Sequence, residues 1–204
     1  MAIKVIAFDL GGVCFTDGTE VALEKIYGLV DAPREKVDEF FRAGLKKEGW
    51  LYRKGKMTKD EFWGAVAEKL NIGMEKAFQM RNIWLSSYTP ISGMKELVRE
   101  LRRDYRLVVF SATAKERMDY VDKTYGVYAD FDDFVLSFET GFHKNEREAY
   151  VILLERIGCR PDECLIIDDK QVVADIASSF GIKAILFRNP RQLSAELRQM
   201  DVLV

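Results

Sequence analysis

The chain of 204 residues is long enough to bury a real core, as one domain or as a domain with an insertion. Its 31 basic and 33 acidic side chains leave a formal net charge of −2, so no global field exists to draw in nucleic acid. No apolar run approaches the length of a membrane span.

Cys14, Cys159 and Cys164 stand beside a single histidine with no metal-ligand spacing, and are expected to be buried thiols of an intracellular protein. Met1-Ala2-Ile3-Lys4 leads straight into an apolar run, so no signal peptide is expected and the chain reads as soluble and cytoplasmic.

The first element is Ile3 to Phe8, apolar at every position but Lys4, which predicts a strand buried on both faces. It runs into Asp9 and then Gly11-Gly12. A carboxylate at the end of a buried central strand sits where open α/β sheets bind ligands, although this stretch alone fits a turn-capping aspartate equally well. From about Thr19 to Tyr88 the rhythm is helical only. Val37, Phe40, Phe41 and Leu45 share a helical face behind Pro33, and Thr58 with Glu61 forms a capping box ahead of Phe62, Ala65, Val66 and Leu70. Gly44, Gly49, Gly55 and Gly73 punctuate the segment. The expectation is an all-helical insertion of four or so helices over 15–89, with Pro90 marking the return.

After Pro90 the period alternates. Met94, Leu97, Val98 and Leu101 make a helix face, and Leu107 to Phe110 a buried strand ending at Ser111. A helix is predicted from about Lys115, with Thr113 and Glu116 as a second capping box. Phe134 to Phe138 is a candidate strand. Tyr150, Leu153, Leu154 and Ile157 line a helix, and Cys164 to Ile167 a strand ending at Asp168-Asp169. A helix over about Gln171 to Phe180, a strand over Ala184 to Phe187 and a helix after Pro190 complete the chain. Strands alternating with helices mean a parallel sheet covered on both faces. The fold class is therefore α/β, a Rossmann-like doubly wound core built from 1–14 and 90–204 and interrupted by the helical insertion.

Three strands thus deliver Asp9, Ser111 and Asp168-Asp169 at their carboxyl ends, with Lys144 in Gly141-Phe142-His143-Lys144 between the last two. This order of motifs over the whole chain resembles the haloacid dehalogenase superfamily of hydrolases. It is most similar to the members that open Asp-x-Gly-Gly-Val and carry a helical cap between the first two motifs. The resemblance implies an aspartyl-phosphate formed on Asp9 and then hydrolysed. It also implies Mg²⁺ held by Asp9, the Gly11 carbonyl and Asp169, with Asp168 acting through water or hydrogen bonds. Ser111, the Ala112 amide at a helix N-terminus, Gly12 and Lys144 would bind phosphate, and Lys144 would balance the charge of Asp9.

Two departures matter. Lys144-Asn145 stands where the family usually has Lys-Pro, and Gly11 stands where most of its phosphatases place the aspartate that protonates the leaving group. Asp17 is the nearest candidate substitute. The expected function is Mg²⁺-dependent hydrolysis of a small phosphorylated metabolite, with neither nucleic acid nor membrane as partner. One alternative is a catalytically weak protein that binds a phosphorylated ligand or a partner protein. Another is a metal-free 2-haloacid dehalogenase, which uses Tyr, Ser-Asn and small hydroxyls where this chain has Gly11, Ser111-Ala112 and Asp168-Asp169. Trp50, Tyr52, Arg53, Trp63 and Trp84 are the insertion's candidates for facing substrate, although tryptophans at helical spacing also suit a core. Arg53 and Lys54, beside Tyr52, could meet an anionic tail but read first as a solvated basic loop, and His143 as a local structural residue.

Overall fold

The computed structural model describes residues 2–42 and 47–203; Gly44 and Leu45, assigned above to the insertion's punctuation and helical face, lie outside them. Five parallel strands, β1 (Val5–Phe8), β2 (Arg106–Ser111), β3 (Asp133–Leu136), β4 (Cys164–Asp168) and β5 (Lys183–Leu186), form one sheet in the order β3-β2-β1-β4-β5. β1 is central, with Phe8 opposite Val109 on one side and Ile167 on the other. That register brings Asp9, Ser111 and Asp168 to the same edge.

The period-2 alternation of β1 divides the core. Ile6 and Phe8 join Leu107, Val109, Leu165 and Ile167 under Met94, Met118 and Leu193, which come from α6 (Met94–Leu101), α7 (Lys115–Tyr125) and α11 (Pro190–Gln199). Val5 and Ala7 join Val108, Phe110 and Ile166 on the opposite face, under Tyr150 and Val173 of α9 (Arg147–Ile157) and α10 (Gln171–Ser179). Both faces are covered, which is why these strands read as continuous apolar runs.

Among the described residues, five helices lie between β1 and α6, namely α1 (Gly18–Tyr27), α2 (Arg34–Phe41), α3 (Glu48–Arg53), α4 (Lys59–Lys69) and α5 (Met74–Ser86), against the four or so that the periodicity suggested. They share a separate cluster of Phe40, Phe41, Tyr52, Phe62, Trp63, Met80 and Trp84. Trp63 and Trp84 are therefore core residues of the insertion, in edge contact at 6.1 Å. The Thr58–Glu61 capping box forms as expected. The outgoing and returning chain run side by side, with Thr16 N–H donating to Thr89 O at 2.9 Å and Ile91 N–H to Cys14 O at 2.9 Å.

Two local expectations fail. The second capping box does not form: Ala114 caps α7 with no side-chain bond. Glu116 instead accepts from Trp63 Nε1 at 2.7 Å and Arg81 Nε at 2.5 Å, so bonds to the insertion outcompete the local one. The candidate strand at Phe134 to Phe138 ends at Leu136, because Ser137 opens a one-turn helix, α8 (Ser137–Thr140). The Ser137 Oγ is taken by Thr113 N–H and Arg53 O, at 3.0 and 2.6 Å.

Candidate active site

Asp9 is fixed first by its backbone, whose N–H donates to Ile167 O at 3.0 Å. Its Oδ1 accepts from Leu10 N–H at 2.7 Å and from Ser111 Oγ at 2.8 Å, and its Oδ2 faces Lys144 Nζ at 2.6 Å. Lys144 also pairs with Asp168, whose other oxygen accepts from Lys170 N–H at 2.9 Å. Burial by itself would lower the Lys144 pKa, but Asp168 and Asp9 outweigh it and raise it. Burial raises the Asp168 pKa despite the opposing charge of Lys144, with the negative charge of Asp9 adding to the rise. The sequence-predicted Asp9, Ser111, Lys144 and Asp168 thus form one continuous hydrogen-bonded group.

Asp169 lies beside it. Its Oδ2 is 2.8 Å from Lys170 Nζ, while its Oδ1 is buried and has no hydrogen-bond partner among the described residues. Burial raises its pKa against the pull of Lys170. Asp9, Asp168 and Asp169 each offer one carboxylate oxygen, and these three oxygens lie within 4.8 Å of one another. Three converging carboxylate oxygens, on residues that include an Asp169 with one buried oxygen left unpartnered, fit a small hard cation such as Mg²⁺.

Glycine at 12 serves this approach sterically: φ there is +87°, and a Cβ would fall 2.5 Å from the Asp169 carboxyl carbon. The Gly12 N–H is committed to Phe15 O at 2.7 Å, so it is not free for the phosphate role expected of it. Ala112 lines the cavity but precedes the α7 cap, Ala114, by two residues. Its amide therefore belongs to the strand-to-helix turn rather than the helix N-terminus.

Above Asp9 opens a cavity of about 460 Å³ lined on the sheet side by Asp9, Gly11, Ser111, Lys144 and Lys170. Its other wall carries residues that the sequence did not single out or misplaced. Tyr88 and Arg117 carried no local signal; one lies in the returning crossover and the other on an ordinary polar helix position. Arg53 and Lys54 are buried instead of solvated. Lys54 Nζ reaches Glu146, the cap of α9, at 2.7 Å. Arg53 donates to Phe41 O at 2.6 Å and Gly49 O at 3.1 Å, and burial lowers its pKa to about 10, helped by the charge of Arg117.

His143 keeps a structural place, its ring stacked on Trp50 at 4.2 Å. Burial, with Arg53, Lys144 and Lys54 adding, lowers its pKa to about 3. Asp17 reaches the cavity, but it caps α1 by accepting from Thr19 and Glu20 N–H at 3.2 and 3.3 Å, and faces Lys170 Nζ at 3.3 Å. Tyr52 stacks on Phe62 at 4.3 Å, inside the insertion.

A family model of haloacid dehalogenase-like hydrolases matches residues 3–181. An uncharacterised protein of Dictyostelium discoideum is 28% identical, over 78% of this chain and 69% of its own. Among solved structures, a haloacid dehalogenase-family enzyme of Bacteroides thetaiotaomicron, in complex with magnesium and inorganic phosphate, superposes with a TM-score of 0.78 at 23% identity, covering 93% of this chain and 96% of that one. The L-2-haloacid dehalogenase of Xanthobacter autotrophicus, with chloropropionic acid covalently bound, gives 0.67 at 17% identity over 99% and 85%. Among the described residues, no helix is long and apolar enough to cross a membrane.

Proposed function

The chain belongs to the haloacid dehalogenase-like hydrolases, and from that premise we propose that it is a Mg²⁺-dependent phosphatase acting on a small phosphorylated metabolite. The observation that carries this reading is the convergence of carboxylate oxygens of Asp9, Asp168 and Asp169, with one Asp169 oxygen buried and unpartnered and Lys144 shared by the other two carboxylates. In this reading, residues 15–89 serve as the cap that shields the reaction from bulk water, and residues 1–14 and 90–204 as the catalytic core.

Asp9 is the nucleophile. Ser111 holds one of its oxygens by a hydrogen bond, leaving the carboxylate oriented toward the cavity. Lys144, buried between Asp9 and Asp168, carries the counter-charge for the transferring group and keeps the two carboxylates from repelling each other. Asp9, the Gly11 carbonyl and Asp169 would hold Mg²⁺, with Asp168 steadying the set. When bound, the metal supplies positive charge against the phosphoryl oxygens, the main requirement of phosphoryl transfer. Arg53 and Arg117 make the opposite wall attractive to an anion. The magnesium and phosphate bound by the Bacteroides enzyme support the same reading. Adjacent carboxylates at 168 and 169 argue against metal-free displacement of halide from an anionic haloacid.

Hydrolysis of p-nitrophenyl phosphate, with Mg²⁺ and with chelator, tests the proposal in wild type and Asp9→Asn. Metal-dependent turnover lost in the variant is expected. A wild type that binds phosphate in the presence of Mg²⁺ without turning over any ester would instead make this a ligand-binding member of the family.

A further inference from the structure

The geometry points to Tyr88 as the acid–base residue of this site, its phenol standing in the space that the side chain of residue 11 would occupy. This rests on the phosphatase reading and supplies what Gly11 takes away. A Cβ built on Gly11 would lie 2.5 Å from Tyr88 Oη, 3.1 Å from its Cζ and 3.3 Å from its Cε1. A carboxylate at position 11 and this phenol are therefore mutually exclusive, and Gly11 is what admits the phenol. Gly18 repeats the pattern, since a Cβ there would run into Cδ2 and Cε2 of the same ring.

The half-buried residue is held at its backbone and on its ring. The Tyr88 carbonyl accepts from Tyr125 Oη at 3.0 Å, Phe15 packs with its centroid 6.1 Å away, and the Arg117 guanidinium lies 4.5 Å over the ring face. Such support from α7, the outgoing crossover and α1 fixes the oxygen over Gly11, two residues from the nucleophile. Tyr88 lines the same cavity as Asp9, Ser111 and Lys144.

The proton is available. Arg117 Nη1 donates to Tyr88 Oη at 3.3 Å, and a guanidinium cannot accept in return. No acceptor for the phenol's own hydrogen is present among the described residues, which leaves that hydrogen for the cavity. Asp17, by contrast, acts only as an acceptor, toward two amides and Lys170.

The chemistry balances. An Asp9 carboxylate oxygen forms a bond to phosphorus as the bond from phosphorus to the ester oxygen breaks. The leaving oxygen takes the electron pair of that bond and the proton of Tyr88, and Arg117 stands against the resulting phenolate. The phenolate then takes a proton from the water that attacks the phosphoryl-Asp9, the Asp9–phosphorus bond breaks, and Tyr88 is restored.

First-turnover rates of glycerol phosphate and p-nitrophenyl phosphate, measured with Mg²⁺ for wild type, Tyr88→Phe and Asp9→Asn, separate this role from a structural one. Tyr88→Phe is expected to slow the first turnover of the alkyl ester by roughly a hundredfold or more, the range of general acid catalysis. The nitrophenolate burst, whose leaving group needs no proton, keeps its rate. Because the water step has lost its base, phosphorylated Asp9 accumulates in Tyr88→Phe and is read by intact-protein mass spectrometry. Equal slowing of both esters, an unchanged alkyl ester, or no phosphoryl-enzyme overturns the role of Tyr88. Turnover surviving in Asp9→Asn removes Asp9 as the nucleophile, and a wild type that turns over neither ester overturns the phosphatase reading itself; either result takes this inference with it.

Discussion

At the floor of the cavity Lys144 is buried between two carboxylates, whereas on the wall Arg53 and Arg117 are buried as deeply with no carboxylate at salt-bridge distance among the described residues. The wall cations rest on neutral groups. Arg53 donates to Phe41 O and Gly49 O, and Arg117 to Trp84 O at 3.0 Å while lying 3.6 Å from the Trp84 ring centroid. The consequences are opposite in sign: neighbouring charges raise the Lys144 pKa, while burial lowers those of Arg53 and Arg117. A buried cation without a counter-charge is costly. An incoming anion thus meets neutralised charge at the floor and, on the wall, charge that no salt bridge among the described residues takes up, so the floor is suited to chemistry and the wall to attraction.

The harshest way to break that contrast is to strip the floor of its cation. Lys144→Met strands Asp9 and Asp168 together, and about 3–5 kcal/mol of stability should be lost. Urea unfolding in chelator measures it, and an unchanged midpoint would mean that the pair does not hold the floor.

Next comes acid. His143 has its pKa depressed from 6.5 to about 3, so its contribution is whole above pH 6.5 and lost as pH falls through that window. The unfolded chain takes up a proton there that the folded chain refuses, at about 1.4 kcal/mol per pH unit. His143→Phe keeps a ring on Trp50 and should flatten stability against pH between about pH 6 and 4; a curve as steep as wild type would place the acid sensitivity elsewhere. On the wall, Arg53→Met should raise KM for p-nitrophenyl phosphate roughly tenfold, the worth of a hydrogen bond to a charged group, with kcat little changed. An equal fall in kcat would move Arg53 from attraction to chemistry. The smallest effect serves as reference: Thr58→Ala removes a capping box away from both regions, costing about 1 kcal/mol with KM unaltered.

The floor was legible because its signals are local. Asp9, Ser111 and Asp168 each end or follow a run of apolar residues, and a parallel sheet covered on both faces brings such ends to one edge. Of the wall, Arg53 was offered by the sequence as able to face substrate; the rest was not legible, because those residues act through partners far along the chain. Tyr88 matters through Gly11 and Arg117, His143 through Trp50, and Lys54 through Glu146. Thr113 and Glu116 show how local signals fail: the spacing of a capping box was present, but Trp63 and Arg81 offered Glu116 better bonds.

By itself the sequence determined the alternation of strands and helices, the helical insertion and the polar groups at three strand ends, since periodicity and burial on both faces act over a few residues at a time. Only the tertiary structure decided that a phenol fills the space left by Gly11, that Gly12 makes room for Asp169, and that two arginines are buried without a salt bridge among the described residues. Those outcomes depend on which distant surfaces meet, and close packing in three dimensions leaves no periodic trace along the chain.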